Sequence, residues 1–216
     1  DGEITNIKSP FDAMKLGIGM VHQEFMLIPD FTITQNIKIN REITKKNIIS
    51  KLFRSKGMET LDTQSMNKDG RKALDTLGMG IEEWVKVAGL PIGHMQFIEI
   101  AREIDKTGIK LLVFDEPTAV LAESEADKLI AVMKKLAASG IAILFITHRL
   151  NEVIQAADNI TVLRDGELVT TRRTEDTTVV ELAELMVGRK IEITNKTEKI
   201  KEASLDKEIV LDIKNL

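Results

Sequence analysis

The sequence LLVFDEP, at Leu111–Pro117, is the strongest indicator of fold class in this chain. Four apolar residues between Lys110 and Asp115 are typical of a parallel strand that is covered on both faces. Two carboxylates follow at its carboxyl end, where open α/β sheets place their ligands. Asp115 is therefore a candidate Mg²⁺ ligand, and Glu116 is a candidate for polarising a water that attacks a phosphate. A strand end that simply faces solvent is the alternative interpretation.

A second apolar run, Ile141–Ile146 (IAILFI), predicts a neighbouring strand. Between the two runs, about Ser124–Ala138 has apolar residues on one helical face and acidic residues in its first turn, where the helix dipole favours them. Strand, helix and strand in this order form a βαβ unit, so we expect a sheet that is at least partly parallel. Thr147 and His148 follow the second strand. A lone histidine is more often structural, but here His148 should lie at the edge that carries the carboxylates and could hydrogen-bond a phosphate.

The residues upstream of these strands predict a further strand and then a helical region. Gly17–His22 (GIGMVH) reads as a short buried strand, and Gln23 follows it. Gln23 is either an ordinary surface residue or an amide that touches Mg²⁺ and the attacking water. The apolar run Phe25–Pro29 either packs in the core or forms a groove for a partner helix. From Thr32 to about Gly108 the pattern is mainly helical, as the apolar spacing within Met95–Ile104 illustrates.

The C-terminal part of the chain predicts a helix, a hairpin, another helix and a linker. The helices are expected near Asn151–Ala157 and Val179–Met186, and the hairpin turns at Asp165–Gly166. Residues Arg189–Lys207 carry mixed charges and few large apolar side chains, which is typical of a linker. The closing residues Glu208–Leu216 (EIVLDIKNL) predict the first strand of a second domain.

Composition limits the classes of function. The 216 residues are 43% hydrophobic and 30% charged, with a net charge of −4, which suits a folded domain and argues against broad nucleic-acid binding. There are no cysteines, so disulfides and thiolate metal sites are excluded, and the three histidines lack metal-ligand spacing. No apolar stretch approaches the ~20 residues that span a bilayer, so a membrane role requires a partner.

Five segments together resemble the nucleotide-binding domain of ABC transporters. In the order of that family's Q-loop, signature, Walker B segment, D-loop and switch histidine, they are Gln23, Leu90–His94 (LPIGH), Leu111–Glu116 (LLVFDE), Thr118–Leu121 (TAVL) and Thr147–His148. The resemblance covers nearly the whole chain. It implies an α/β, P-loop NTPase-like cassette at residues 1–188, with a mostly parallel core sheet and a helical subdomain at about residues 32–108.

The resemblance also implies the cofactors, ATP and Mg²⁺, and a role for each site residue. Glu116, His148 and Gln23 would be catalytic, and Asp115 with Gln23 would hold Mg²⁺. The D-loop would be Ala119, Val120 and Leu121, and the residues facing the ATP of the opposite cassette would be Leu90, Pro91, Ile92, Gly93 and His94.

Longer stretches narrow the subfamily. GIGMVHQEFMLIPDFTITQNI and ITHRLNEV resemble the monosaccharide-importer ATPases (ribose, galactose and xylose types), which carry two cassettes in one polypeptide. This implies a subunit at the cytoplasmic face of the membrane that hydrolyses ATP to energise sugar import. Its partners would be transmembrane permease subunits, through them a sugar-binding protein, and a second cassette, with no nucleic acid. Nucleoside importers share much of the pattern and remain an alternative.

Two departures from the family pattern matter. No G-x-x-x-x-G-K-[ST] sequence occurs in the chain, so we expect an N-terminally truncated cassette whose 216 residues alone bind ATP poorly. The signature usually reads L-S-x-G-Q, whereas Pro91 removes a hydroxyl and a backbone N–H from it. We therefore expect one impaired and one competent site in the complete protein. A soluble ABC protein of translation or repair, and a degenerate cassette inactive alone, are the competing hypotheses.

Overall fold

The structure, a computed structural model, describes residues 4–53, 57 and 59–190. The strands are β1 (Ile18–Val21), β2 (Thr44–Lys45), β3 (Thr60–Leu61), β4 (Leu111–Asp115), β5 (Ala142–Ile146), β6 (Asn159–Arg164) and β7 (Glu167–Arg173). The helices are α1 (Pro10–Lys15), α2 (Ile33–Lys38), α3 (Ile48–Phe53), α4 (Thr63–Thr76), α5 (Ile92–Ile104), α6 (Glu123–Ala138), α7 (Leu150–Ala156) and α8 (Val179–Val187).

The central sheet has the order β1-β4-β5, and both pairings are parallel. Val21 at the end of β1 pairs with Phe114, and Asp115 at the end of β4 pairs with Ile146. Helix α6 connects β4 to β5, which confirms the predicted βαβ unit. Because the strands are parallel and in register, their carboxyl ends meet at one edge of the sheet.

Helices α5 and α6 cover one face of this sheet. The core includes Val21, Leu112 and Phe114 from the strands, each fully buried. Ile98 of α5 and Leu129 of α6 are also fully buried in the same cluster. As the apolar spacing along both helices predicts, each helix packs a continuous apolar stripe against the strands.

The expectation that the strands are covered on both faces is wrong for the described residues. Burial alternates along β1 and β4, and along β5 it alternates between exposed and half-buried. Leu144 and Ile146 are 51% and 46% exposed. The cause is that α5 and α6 pack on the same face, so the side chains that point to the other face have little helix against them within residues 4–190.

Helices α2 to α5 and a small two-stranded sheet occupy the region between β1 and β4. Helix α2 begins at a capping box, in which the Thr32 hydroxyl accepts from Gln35 N at 3.2 Å and the Gln35 side chain accepts from Thr32 N at 2.8 Å. Lys38 at its end is buried and contacts Asp69 at 2.6 Å and Asp105 at 2.9 Å, which links α2 to α4 and to the end of α5. The antiparallel pair β2-β3 was not predicted, because two-residue strands are too short to show a period of two.

The C-terminal elements form a second, smaller cluster. Strands β6 and β7 pair antiparallel around the turn that the sequence predicted, where Asp165 has a φ of 54° and Gly166 a φ of 81°. Ile160, Val162 and Leu182 are buried together where α8 packs on the hairpin. A 3₁₀ turn, Thr174–Asp176, connects β7 to α8.

Two predictions fall mostly or wholly outside the described residues. These are the linker at Arg189–Lys207, of which only the first two residues are described, and the opening strand of a second cassette at Glu208–Leu216. Within the described ranges, no helix combines the length and the apolar character needed to cross a membrane.

Candidate functional site

Glu116 is held at the carboxyl edge of the sheet in an unusual backbone conformation. Its φ is 46°, in the left-handed region that residues other than glycine seldom adopt. Its N–H donates to the Ile146 carbonyl of β5 at 2.9 Å, and its own carbonyl accepts from Ala119 N at 3.1 Å. Such local strain persists where surrounding contacts enforce it, often at functional sites. Here the two hydrogen bonds fix the direction in which the Glu116 side chain leaves the sheet.

The Glu116 carboxylate meets the His148 ring, as the order of the strands predicts. His148 Nδ1 lies 3.1 Å from Glu116 Oε1, close enough for an N–H on Nδ1 to donate to the carboxylate. The Glu116 side chain is 31% exposed and the His148 side chain is 64% exposed, so both reach solvent. An accessible carboxylate beside an imidazole can accept a proton from water and hold a developing charge.

Asp115 and Gln23 belong to the ends of two neighbouring strands at the same carboxyl edge of the sheet. Asp115 is the last residue of β4 and is half-buried, whereas Gln23 follows β1 by two residues and is exposed. Within the described ranges, no group of three or more His, Cys, Asp and Glu side chains could hold a metal ion alone. One or two carboxylates with an amide oxygen nevertheless fit Mg²⁺, which keeps several waters and takes its remaining ligands from substrate phosphates. The residues present are therefore compatible with Mg²⁺ bound together with a nucleotide.

The turn that follows the carboxylates is anchored to helix α7. The Thr118 hydroxyl, which is buried, donates to Glu152 Oε2 at 2.6 Å. Arg149 Nη1 donates to Glu152 Oε1 at 3.2 Å, and Arg149 Nη2 donates to the Ala119 carbonyl at 3.2 Å. In the D-loop segment, Leu121 is buried whereas Val120 is 55% exposed.

Sequence reasoning did not identify Arg149 and Glu152. Arg149 follows His148 directly, and α7 begins at the next residue. An arginine and a glutamate three residues apart at the start of a short helix also suit a solvated surface, so their pattern carried no signal of its own. Their effect is to tie the D-loop turn to the element that follows the histidine.

The segment Leu90–His94 leads into the first turn of helix α5. Pro91 is the N-cap residue, it makes no side-chain cap, and the helix begins at Ile92. Ile92 and His94 are exposed, whereas Gly93 is buried. A Cβ on Gly93 would come within 2.2 Å of Glu125 Oε1 on α6, so a side chain already occupies the space over this glycine.

The predicted site residues therefore fall into two groups. Glu116 and His148 are in direct contact, and Asp115 and Gln23 end or follow strands at the same edge. The Leu90–His94 segment instead contacts Glu125 of α6. Among these predicted residues, in the part of the chain that the structure describes, the Glu116–His148 pair alone shares a side-chain hydrogen bond.

The curated proteins that this chain resembles are all import ATP-binding proteins in the three comparisons given below. A scan against models of protein families finds no match for this chain. It is 39% identical over 215 residues to the nucleoside import ATP-binding protein NupA of Lactococcus lactis subsp. cremoris. It is 38% identical over 191 residues to the ribose import ATP-binding protein RbsA of Chelativorans sp.. It is 34% identical over 215 residues to the xylose import ATP-binding protein XylG of Thermoanaerobacter pseudethanolicus.

These alignments cover 100%, 88% and 100% of this chain, but 39%, 35% and 39% of the three relatives. The chain thus spans about two fifths of the length of the curated relatives that it matches.

Solved structures with the same fold are ATP-binding cassettes. The chain matches MJ1267, an ATP-binding cassette of an ABC transporter, with a TM-score of 0.66 and 26% identity over 82% of this chain and 71% of that one. A nucleotide-free ATP-binding cassette from an ABC transporter gives a TM-score of 0.63 at 24% identity, with the same coverage, which supports the fold alone. Fold and site therefore define an ATP-binding cassette. The curated relatives that this chain resembles are import ATP-binding proteins for nucleosides, ribose and xylose.

Proposed function

We propose that the complete protein binds and hydrolyses ATP to energise the import of a monosaccharide. The observation that carries the proposal is the Glu116–His148 pair, 3.1 Å apart and next to Asp115 at the carboxyl edge of a cassette sheet. Ribose and xylose import ATP-binding proteins among the relatives support the sugar. The relative NupA, a nucleoside import ATP-binding protein that aligns with the whole chain at 39% identity, supports nucleosides as the second candidate.

In this proposal Glu116 orients and polarises the water that attacks the γ-phosphate. The constrained backbone aims the carboxylate out of the sheet, and its exposure leaves room for water. His148 contacts the same carboxylate and could also donate to a γ-phosphate oxygen, so it would report whether that phosphate is present. The pair thus combines water activation with detection of the nucleotide state.

Mg²⁺, when bound with ATP, would neutralise charge that develops on the phosphates. Asp115 would hold it, in part through water, and Gln23 would contribute its amide oxygen. The 216 residues contain no G-x-x-x-x-G-K-[ST] sequence. They therefore lack the backbone N–H donors and the lysine that such a loop offers to the phosphates. In the proposal, that loop belongs to the complete protein.

The segment Leu90–His94 would face ATP bound by a second cassette. Pro91 lacks the hydroxyl and the N–H that the usual serine offers, although the N-terminus of α5 still favours an anion. We therefore expect that the ATP facing this segment turns over slowly. The ATP at Glu116 would be the one hydrolysed quickly. The complete protein would lie at the cytoplasmic face of the membrane. Its other partners would be the permease subunits and, through them, a sugar-binding protein.

Reconstituted transport tests this function. The complete protein, with its permease, is placed in lipid vesicles, and ATP hydrolysis is measured with a binding protein loaded with ribose, xylose or a nucleoside. Stimulation by a sugar supports the proposal, and stimulation by the nucleoside alone selects the second candidate. Hydrolysis that responds to ribosomes or DNA but not to the permease would exclude both.

A further inference from the structure

The segment that follows β1 exposes its side chains, but helix α5 holds its backbone. The Met26 side chain is 62% exposed. The Met26 N–H nevertheless donates to Glu99 Oε1 at 2.7 Å, and the Met26 carbonyl accepts from Arg102 Nη1 at 2.9 Å. Both polar groups of one residue are therefore bound by two side chains from one helix, 73 and 76 positions further along the chain.

These two side chains form a buried, charged unit. Glu99 is fully buried, the Arg102 side chain is 13% exposed, and Arg102 Nη2 donates to Glu99 Oε2 at 3.0 Å. Hydrogen bonds in which a partner is ionised are shorter and stronger than neutral ones, so the unit constrains Met26 more than ordinary loop contacts would. We call Glu99, Arg102 and the Met26 peptide groups the α5 clamp.

The contacts of the clamp partly offset the free-energy cost of burying the charged Glu99 carboxylate. Burial raises the pKa of the Glu99 carboxyl, and Glu103 on the same helix raises it further. Arg102, the Met26 N–H and His22 act in the opposite direction and lower that pKa. Opening the clamp would remove the Met26 N–H from a buried carboxylate, which is unfavourable because a buried charge requires its partners.

Other contacts restrict the loop on both sides of the clamp. Glu103 Oε2 accepts from Met20 N in β1 at 3.3 Å. Past the clamp, Asn36 of α2 accepts from Ile28 N at 2.7 Å and donates to the Ile28 carbonyl at 3.0 Å. Gln23 lies between the β1 contact and the clamp, so the position of Met26 limits where its amide can go.

Helix α5 also carries the Leu90–His94 segment at its N-terminus. One rigid helix therefore connects that segment to the loop of Gln23. We propose that Glu99 and Arg102 are positioning residues that move the Gln23 loop together with α5 and so set the Gln23 amide for hydrolysis. This inference rests on the proposed ATPase function. It assigns a role in turnover to two residues that lie outside the motifs.

A double-mutant cycle in the complete protein tests the inference. Glu99→Ala should lower kcat for ATP by about 10- to 100-fold, since small misplacements of catalytic groups have effects of that size. KM for ATP should stay within about threefold, because the clamp touches no nucleotide group. Glu99→Gln keeps an oxygen that can accept from Met26 N–H, so it should restore most of kcat.

The Gln23→Ala background separates positioning from simple destabilisation. If the clamp acts through Gln23, Glu99→Ala should have little further effect on kcat in that background. Ile160→Ala, in the separate cluster of β6 and α8, is the control for lost stability. It should leave the kcat of folded protein unchanged. Lys72→Gln, at an exposed position on α4, is the control for a changed surface charge.

Each outcome decides between the accounts. Fully additive effects of Glu99→Ala and Gln23→Ala on kcat would overturn the inference. A fall in activity that matches the fraction of unfolded protein would also overturn it. If Glu99→Ala does not fold, Arg102→Met takes its place in the same cycle, with the same expected non-additivity. A wild-type protein that hydrolyses no ATP would instead refute the proposed function, so the two failures are distinguishable.

Discussion

Thr118 and Glu152 share a buried hydrogen bond of 2.6 Å across 34 positions of the chain. Thr118 belongs to the turn after the carboxylates of β4, and Glu152 belongs to the helix that begins after His148. The bond therefore ties the two segments that follow neighbouring strands. It helps to maintain the 3.1 Å separation between Glu116 and His148.

Replacing this threonine by its isostere should destabilise the protein. Thr118→Val leaves Glu152 Oε2 without its hydroxyl donor, while Arg149 still donates to Oε1, and an unsatisfied buried polar atom costs about 1–3 kcal/mol. Urea unfolding gives the free energy. The matched control is Thr161→Val, where an exposed hydroxyl bonds Thr171 at 3.1 Å, and a change within about 0.5 kcal/mol is expected. Equal effects at the two threonines would contradict the anchoring role of Thr118.

Two glycines should respond differently to alanine. Gly17 has a φ of 80°, and a Cβ there would lie 2.2 Å from the Gly108 carbonyl oxygen, a backbone atom. Gly17→Ala should therefore cost about 2 kcal/mol or more. Gly93→Ala meets only the flexible end of Glu125, which can rotate away, and alanine favours a helix. Its unfolding free energy should change by less than about 1 kcal/mol, as chemical denaturation can measure.

Glu99 and Asp62 should give opposite pH dependences of stability. The raised pKa of Glu99 means that folding favours its protonated form, so this contribution is present at low pH and is lost as pH rises through the folded pKa. Glu99→Gln should therefore gain stability relative to the wild type as pH rises from 4 to 7.

The pKa of Asp62 is lowered, mainly by the Ser65 hydroxyl and then by the Ser65 backbone N–H, so its contribution is present at neutral pH and is lost on acidification. The stability difference between Asp62→Asn and the wild type should therefore shrink as pH falls. Because the Asp62 contribution is lost only below its ordinary pKa of 3.8, thermal unfolding is measured from about pH 7 to about pH 2 for both variants. Slopes of the same sign would contradict the assignments.

Nucleotide affinity should depend on sequence beyond these 216 residues. Since no G-x-x-x-x-G-K-[ST] motif occurs in the chain, it offers no Walker A lysine for the β- and γ-phosphates. Calorimetric titration with Mg·ATP should show weak binding to the 216 residues and tight binding to the complete protein. Tight binding to the 216 residues alone would mean that other groups hold the phosphates.

The elements at the edge of the sheet were predictable because their signals are local. LLVFDEP and the run before His148 each place a polar residue directly after an apolar strand, and parallel pairing then brings the two ends together. The hairpin at Asp165 was predictable for the same reason.

The polar contacts within the protein were not predictable from the sequence. Glu99, Arg102 and Glu152 occupy helices in which a charged residue normally indicates a solvated face, and their partners are distant in sequence. The exposure of one sheet face within the described residues was also missed, because an apolar run reads the same whether one face or two are covered.

The most direct test of the account is single-turnover and steady-state hydrolysis by Glu116→Gln in the complete protein. Glu167→Gln, at an exposed site on the hairpin, is the matched control. We expect Glu116→Gln to lower kcat by about 10²- to 10⁴-fold while the Kd for Mg·ATP is unchanged, because a general base is lost and no phosphate contact is removed. Undiminished hydrolysis by Glu116→Gln would contradict the assignment of Glu116 and, with it, the catalytic account of this site.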